Sequence, residues 1–203
     1  MVKAMKRLLI CSLAFCVSAA IASTEPPEAL VKRSVEEILA AIGRTPDREA
    51  LRKLAEQKVL PNFDFREMTR LAVGANWRKA SPEQQTALVN GFRTLLVNLY
   101  TSALSQSGER NRERSVVVRP PAPGSRPEET TVKTVVKEAG GLAVEIDYRM
   151  LKRDDGWKVY DVLVEGISLV TSYRTSFDNE VAKSGVDGLI RVLEQKNRGG
   201  LKS

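Results

Sequence analysis

The hydrophobic period of this chain changes close to Gly108 and reverts at Ile167, and that first change limits what the chain can fold into. Before it, apolar residues return every three or four positions, as on helices with one buried face; after it they return every second position, as on half-buried strands. A chain that is helical, then extended, then helical again predicts an α+β domain in which helices cover a curved antiparallel sheet of about four strands.

In the first half, Glu28 to Ile42 places Leu30, Val31, Val35, Ile38, Leu39 and Ile42 on one face, and Gly43 ends the run. Thr45-Pro46 reads as the cap and first turn of a second helix through Leu51, Leu54 and Ala55 towards Val59, broken by Pro61. A short amphipathic helix, Arg66 to Val73, stops near Gly74, with Trp77 just beyond. Ser81-Pro82-Glu83-Gln84 is the clearest helix start: Ser81 can cap the first amides, Pro82 suits the first turn, and Gln84 can reach back to Ser81. The helix that follows runs to about Ser107 with a broad apolar stripe from Leu88 to Leu104, wide enough for a central position.

Beyond Gly108, Ser115 to Arg119 is a first strand, and Pro120-Pro121-Ala122-Pro123-Gly124 reads as a loop. Glu129–Glu138, Leu142–Lys152 and Trp157–Glu165 are three more strands, separated by Gly140-Gly141 and Asp154-Asp155-Gly156. In the last strand, strict alternation puts Trp157, Val159 and Leu163 on one face and Tyr160, Val162 and Val164 on the other. The helical period returns at Ile167 with Val170, Tyr173, Phe177 and Val181, and a final helix begins at Ser184. No internal repeat interrupts this order.

The amino terminus reads as a leader. Lys3, Lys6 and Arg7 precede the apolar run Leu8 to Val17, and Ala20-Ile21-Ala22 is a small-x-small cleavage pattern. The predicted organisation is a signal peptide over 1–22, cleaved after Ala22, and one domain over 23–203, helical at 25–107, extended at 115–165 and helical again at 167–197. Losing 22 of 203 residues leaves 181 and lowers the formal net charge from +7 to +4, because the leader carries three cations and no acid. Dispersed charge of that size, on an exported chain, argues against nucleic acid. The only cysteines, Cys11 and Cys16, leave with the leader, and the chain has no histidine. The mature protein therefore lacks disulfides, a thiolate nucleophile, an imidazole base and the usual zinc ligands. Neither a metal nor a cofactor is expected.

Three stretches resemble a known family: Asn76 to Gln85 leading into Gly91-Phe92 and Tyr100, then Gly156-Trp157-Lys158-Val159-Tyr160-Asp161-Val162, then Glu165 to Phe177. They are similar to the MlaC family, also called the toluene-tolerance family, of soluble periplasmic phospholipid-binding proteins. The resemblance covers essentially the whole mature chain. It implies a carrier that shuttles a phospholipid across the periplasm, its acyl chains in an apolar cavity between sheet and helices, in support of outer-membrane lipid asymmetry. It also implies two membrane partners, an inner-membrane ABC transporter with an MCE-type protein and an outer-membrane lipoprotein with its porin.

On that resemblance, the expected cavity wall is Val73, Trp77, Phe92, Leu95, Leu96, Leu99 and Tyr100 from the helical half, Ile146, Tyr148, Val162 and Val164 from the sheet, and Ile167, Val170, Tyr173 and Phe177 from the closing helix. Arg78, Lys79, Arg149 and Arg174 are the candidate headgroup contacts, arginine being suited to a phosphate through two parallel hydrogen bonds. The cations of Arg110, Arg112 and Arg114 read as a solvated loop. Two rival readings stand beside the carrier. One is a small periplasmic enzyme working through Asp147, Tyr148, Tyr160 and Asp161 in an apolar cone; the chain otherwise offers no catalytic constellation. The other is a protein-only adaptor, which would have a solid core.

Overall fold

The computed structural model of the protein describes residues 25–44, 47–108, 114–120, 122–123 and 127–199. The leader, both cysteines, Thr45-Pro46, Arg110 and Arg112 lie outside the described residues. The order of elements is α+β as expected: α1 (Pro27–Arg44), α2 (Arg48–Leu54), α3 (Phe65–Val73), α4 (Pro82–Gly108), a sheet, then α5 (Leu169–Gly199). Asp47, rather than Thr45, caps α2, its carboxylate accepting from the Ala50 amide at 2.9 Å. Past Leu54 the chain widens into a π turn, Ala55–Val59, and then tightens into a 3-10 turn, Leu60–Asn62, which accommodates Pro61 at its start. The box at the start of α4 forms as predicted: the Gln84 amide donates to Ser81 Oγ at 3.2 Å, and the Ser81 amide to Gln84 Oε1 at 2.9 Å.

The sheet has six strands instead of about four: β1 (Arg114–Val118), β2 (Ala122–Pro123), β3 (Glu129–Glu138), β4 (Val144–Arg153), β5 (Gly156–Val164) and β6 (Ile167–Ser168). All pairings between them are antiparallel, in the order β1-β3-β4-β5-β6, and β2 follows β1 along the same edge of β3. The two additions are two-residue strands where sequence signals are weakest. Ala122-Pro123 lies inside the proline-rich stretch expected to be a loop, yet it pairs with Thr131 and Thr130. Proline is tolerated there because the strand is at an edge, where its missing N–H leaves no gap in the ladder. Ile167 opens β6 rather than a helix, since the Glu165-Gly166 turn folds it back onto Val164. The closing helix then divides at Gly185, whose φ of 70° and ψ of −179° interrupt it, in agreement with two successive helices.

A β-bulge overturns the expected faces of β5. Arg149 pairs with Asp161 but Met150 pairs with Val159, so Tyr160 is an extra residue and the alternation slips by one. Val159, Val162 and Val164 consequently share one face with Met150, Tyr148 and Ile146, and Asp161 and Leu163 take the other with Arg149 and Asp147.

The core is in two parts. Leu30 and Val31 of α1 bury Val132, Met150 and Val159 on the apolar face of the sheet. A second cluster joins α3, α4 and α5 through Met68, Val73, Trp77, Leu88, Phe92, Leu96, Val170, Phe177, Leu189 and Leu193. Phe63 packs against both. The helical cluster hangs from the β5 edge of the sheet by two carboxylates. Asp64 caps α3, accepting from the Glu67 amide at 2.9 Å, while its own amide bonds the Val159 carbonyl at 2.8 Å and its carboxylate receives Arg153 at 2.6 Å. Asp161, only 2% exposed, accepts from Ser168 Oγ at 2.7 Å and from the Val170 amide at 3.2 Å, which holds the start of α5.

Replacing Asp161 should therefore loosen the joint between sheet and helices. Asp161→Ala is expected to lower stability by about 2 to 4 kcal/mol, because it strands the Ser168 and Val170 donors. Arg149 lies 3.7 Å from Asp161 with half its side chain in solvent, so Arg149→Ala should cost less than about 1 kcal/mol. Urea unfolding of the two variants checks the difference, and equal losses would show that Asp161 acts through its ion pair instead.

Candidate functional site

The fifteen residues expected to line a cavity divide into three groups. Val73, Trp77, Phe92, Leu96, Val170 and Phe177 are buried in the helical core, with Leu95 and Tyr173 packed against them. Phe92 is fully enclosed, meeting Tyr173 and Phe177 edge-on at ring centroid distances of 5.0 and 5.3 Å. Trp77 carries the Arg66 guanidinium over its ring at 5.2 Å. The second group is on the sheet: Ile146, Tyr148 and Val162 are half-buried, and the last two pack beside the α1 cluster.

The third group is apolar and uncovered. Leu99 is 50% exposed, Tyr100 41%, Val164 37% and Ile167 68%. Helical geometry explains the first two. Leu88, Phe92, Leu95 and Leu96 form the stripe of α4 that α3 and α5 cover, and Leu99, Tyr100 and Ala103 prolong it by another turn and a half past that cover. The opposite side of the same turns is closed, for Val97, Asn98 and Thr101 are all buried. α4 packs on α1, α2, α3 and α5, whereas the sheet is met by α1, α3 and α5. Apolar surface is thereby left uncovered at the end of the α4 stripe and, on the sheet, at Val164 and Ile167, next to the half-buried row Ile146, Tyr148 and Val162.

Tyr148 carries the most informative electrostatics of the site. The residue is half-buried, and desolvation pushes its phenol up to about 12, only partly opposed by a hydrogen bond with Thr134. Tyr100 and Tyr173 are also raised, again first by burial, and the neighbouring Tyr173 adds to the shift at Tyr100. That coupling places the exposed end of the α4 stripe beside the start of α5.

The four headgroup candidates do not converge. Arg149 projects from the sheet face opposite Tyr148 and Val162, because it pairs with Asp161 across the ladder. Arg174 donates from Nε and Nη2 to the Leu71 carbonyl at 3.2 and 2.9 Å, satisfying an orphan carbonyl at the end of α3. Lys79 donates to Asn76 Oδ1 at 3.0 Å, and Arg78 is exposed. Of the residues of the enzyme reading, Tyr160 and Asp161 are engaged separately: the Tyr160 hydroxyl points to Glu129 Oε1 at 3.5 Å, and Asp161 is held at the start of α5. Among the described residues no group of histidine, cysteine, aspartate and glutamate could hold a metal, and no helix is long and apolar enough to cross a membrane.

Sequence reasoning missed Asp64 as an anchor, and for Asp161 it gave a buried carboxylate in need of partners without naming them. Asp64 was legible, since Asp64-Phe65-Arg66-Glu67 has the form of an N-terminal cap followed by an acid in the first turn. Asp161 was not, because its donors come from beyond a turn and its face depends on the bulge.

A profile of the family described as MlaC protein matches residues 32–195. The toluene tolerance protein ttg2D of Pseudomonas putida is 26% identical over 110 residues, which are 54% of this chain and 49% of that protein; the match thus spans about half of the relative's length. A solved structure of a phospholipid-binding protein from Ralstonia solanacearum, in complex with a phospholipid, is 32% identical. It superposes with a TM-score of 0.75 over 86% of this chain and 98% of its own.

The raised phenol of Tyr148 has a consequence for stability in alkali. Its proton is held more tightly in the folded than in the unfolded chain, so stability is unaffected below pH 10 and falls between pH 10 and about 12, by roughly 3 kcal/mol at most. Tyr148→Phe is expected to remove that part of the alkaline loss. Ultraviolet titration should show the last tyrosine to ionise doing so near pH 12, and its absence from the Phe variant identifies it.

Proposed function

The chain belongs to the MlaC family, and on that premise we propose that it carries phospholipid in the periplasm. The observation that supports this best is the uncovered apolar surface at Leu99, Tyr100, Val164 and Ile167, continuous on the sheet face with the half-buried row Ile146, Tyr148 and Val162. Acyl chains would lie along Ile146, Tyr148, Val162 and Val164 and against the free end of the α4 stripe at Leu99 and Tyr100. Ile167 would form part of the mouth. The buried helical residues Phe92, Val170 and Phe177 would stand behind this wall and keep its shape.

Energetics favour a carrier of this design. Each methylene removed from water is worth about 0.8 kcal/mol, so a cargo with roughly thirty of them would gain more than about 20 kcal/mol over water. Escape into water would then be negligible, as that exceeds the practical ceiling of affinity. A bilayer is as apolar as the recess, so exchange with a membrane or a membrane-embedded partner would lie near balance. In that setting the finer reading is a shuttle between an inner-membrane ABC transporter with an MCE-type protein and an outer-membrane lipoprotein with its porin. Maintenance of outer-membrane lipid asymmetry, and export by a cleaved leader ending at Ala22, belong to the same proposal. The phospholipid named in the Ralstonia solanacearum structure supports it by similarity of fold and sequence.

Protein secreted in the absence of detergent should release phospholipid into organic solvent in about one-to-one ratio, read by mass spectrometry. Val164→Asp places a charge on the apolar row at an already part-exposed position and should abolish retention without unfolding the chain. Val117→Asp, exposed on the other face of the sheet, should retain lipid normally. Lipid-free wild-type protein that takes up none from vesicles would overturn the carrier reading and leave the protein-only adaptor.

A further inference from the structure

β1 ends the sheet, and the phase of its ladder decides which backbone groups it leaves over. The Arg119 amide donates to the Lys133 carbonyl at 2.9 Å, so these two form a hydrogen-bonded pair, and Val117–Val135 and Ser115–Lys137 are the next such pairs along the register. Val116 and Val118 therefore turn both N–H and C=O away from β3. Among the described residues no strand stands on that side, since the order begins at β1 and β2 continues past it along β3. An open edge of this kind is a template for another strand, and proteins usually blunt it with an inward charge, a proline or a bulge. Here proline first appears at Pro120, past the strand, and Arg114–Val118 itself contains a run of valines, which favour extended backbone.

The side chains beside this edge set the chemistry of what can be added. Val118 packs against the α1 cluster, so the face it shares with Val116 is the inner one. The outer face holds Val117, 46% exposed, across from half-buried Val135. Exposed cations flank this apolar pair, with Lys137 across from Ser115 on one side and Arg119 across from Lys133 on the other. Arg119 and Lys133 each reach one acid on β4, Glu145 at 3.2 Å and Asp147 at 3.3 Å, in partly exposed pairs of small worth. Lys137 has no ion pair among the described residues. The carboxylates on this face thus stand further in, and the edge beside Val117 is positive. A second copy is a poor occupant. Pairing about Val117 would set Lys137 of one chain in line with Arg119 and Lys133 of the other, with only Ser115 between them, and like charges across strands repel.

We infer that the outer edge of β1 binds an acidic extended segment of another protein as an added strand, hydrogen-bonded to Val116 and Val118, with an apolar side chain beside Val117 and carboxylates two residues to either side of it facing Arg119 and Lys137. Alternation dictates that spacing, because side chains on one face recur every second residue. Main-chain bonds supply the affinity in such a mode, and the alternate side chains the selectivity. β1 lies at the opposite end of the strand order from β5 and β6, so a segment docked there leaves Val162, Val164 and Ile167 uncovered. Occupancy of this edge does not depend on any cargo held elsewhere.

The test is a titration of the 15N-labelled protein with the peptide acetyl-Glu-Thr-Val-Thr-Glu-amide. Saturable shifts are expected at the Val116 and Val118 amides, with slower hydrogen exchange at both. The same peptide with lysine in place of both glutamates should bind about tenfold more weakly, since opposite charge is exchanged for like. Arg119→Glu, at an exposed position, should erase that preference. Val116→Pro removes an outward donor that the ladder to β3 does not use, and should abolish binding in a protein that still folds. Val117→Asp should weaken the acidic peptide while lipid retention stays normal. Val164→Asp should leave peptide binding intact even where it abolishes lipid retention, which separates failure of this edge from failure of the carrier reading. Silence at the two amides up to the solubility limit of the peptide, equal affinity for the two peptides, or a preference that survives Arg119→Glu would each overturn the inference. So would a dimer in sedimentation that Val116→Pro converts to monomer, which would assign the edge to a second copy.

Discussion

Two carboxylates hold the halves of this protein together. Asp64 and Asp161 stand along the β5 edge of the sheet, and each gives one oxygen to the amino terminus of a helix, α3 in one case and α5 in the other. Burial of a charge is tolerable only with donors arranged around it, and a helix start is a ready supply of them. The helices are thereby fixed to the edge of the sheet rather than laid flat across it. Everything further out follows from that attachment. With α3 and α5 set at the edge, α4 packs on helices alone, and the end of its apolar stripe has no partner to close on. A core built this way divides into two clusters joined at Phe63, and the apolar surface left between them is a consequence of where the helices are tethered.

The bulge at Tyr160 completes the arrangement. Without it, Val162 and Val164 would lie on the face opposite Val159, and the apolar face of the sheet would end half-way along β5. One extra residue keeps three valines on the same side and at the same time turns Asp161 to the side where Ser168 and the α5 amides await it. A single irregularity thus both extends a wall and anchors a helix, which is the use that β-bulges commonly have beside functional sites. For a carrier, an aliphatic wall with few fixed polar contacts is the appropriate chemistry, because cargo must be released as well as held. Tyr148 carries the one hydroxyl in the proposed row, and burial raises its phenol.

Much of this was legible along the chain. Helices with a clear stripe and a cap, such as Leu30–Ile42 and the Ser81-Gln84 start of α4, declare themselves because their determinants are local: three- and four-residue spacing, and a side chain that reaches an amide three residues away. The strands β3 and β4 were equally plain. Two-residue strands were not, since Ala122-Pro123 and Ile167-Ser168 are too short to show a period and exist only through their partners. The faces of β5 were misread for a related reason: a bulge is a property of a pair of strands, and alternation counted along one of them assumes that none occurs.

By itself the sequence determined the inventory and the element types: no cysteine after residue 16, no histidine, helices, then a sheet, then helices, and apolar residues enough for a core without disulfides. These follow from composition and short-range periodicity, which do not depend on what lies across a fold. Tertiary structure decided which apolar residues are merely core and which are exposed. Phe92 and Leu99 sit on the same stripe of the same helix, and nothing local distinguishes them; α5 reaches one and stops short of the other. It likewise decided that Arg149 and Arg174 serve Asp161 and the end of α3. The physical reason is the same in each case. Burial and pairing are set by neighbours distant in sequence, and those neighbours are placed by the two carboxylates at the edge of β5.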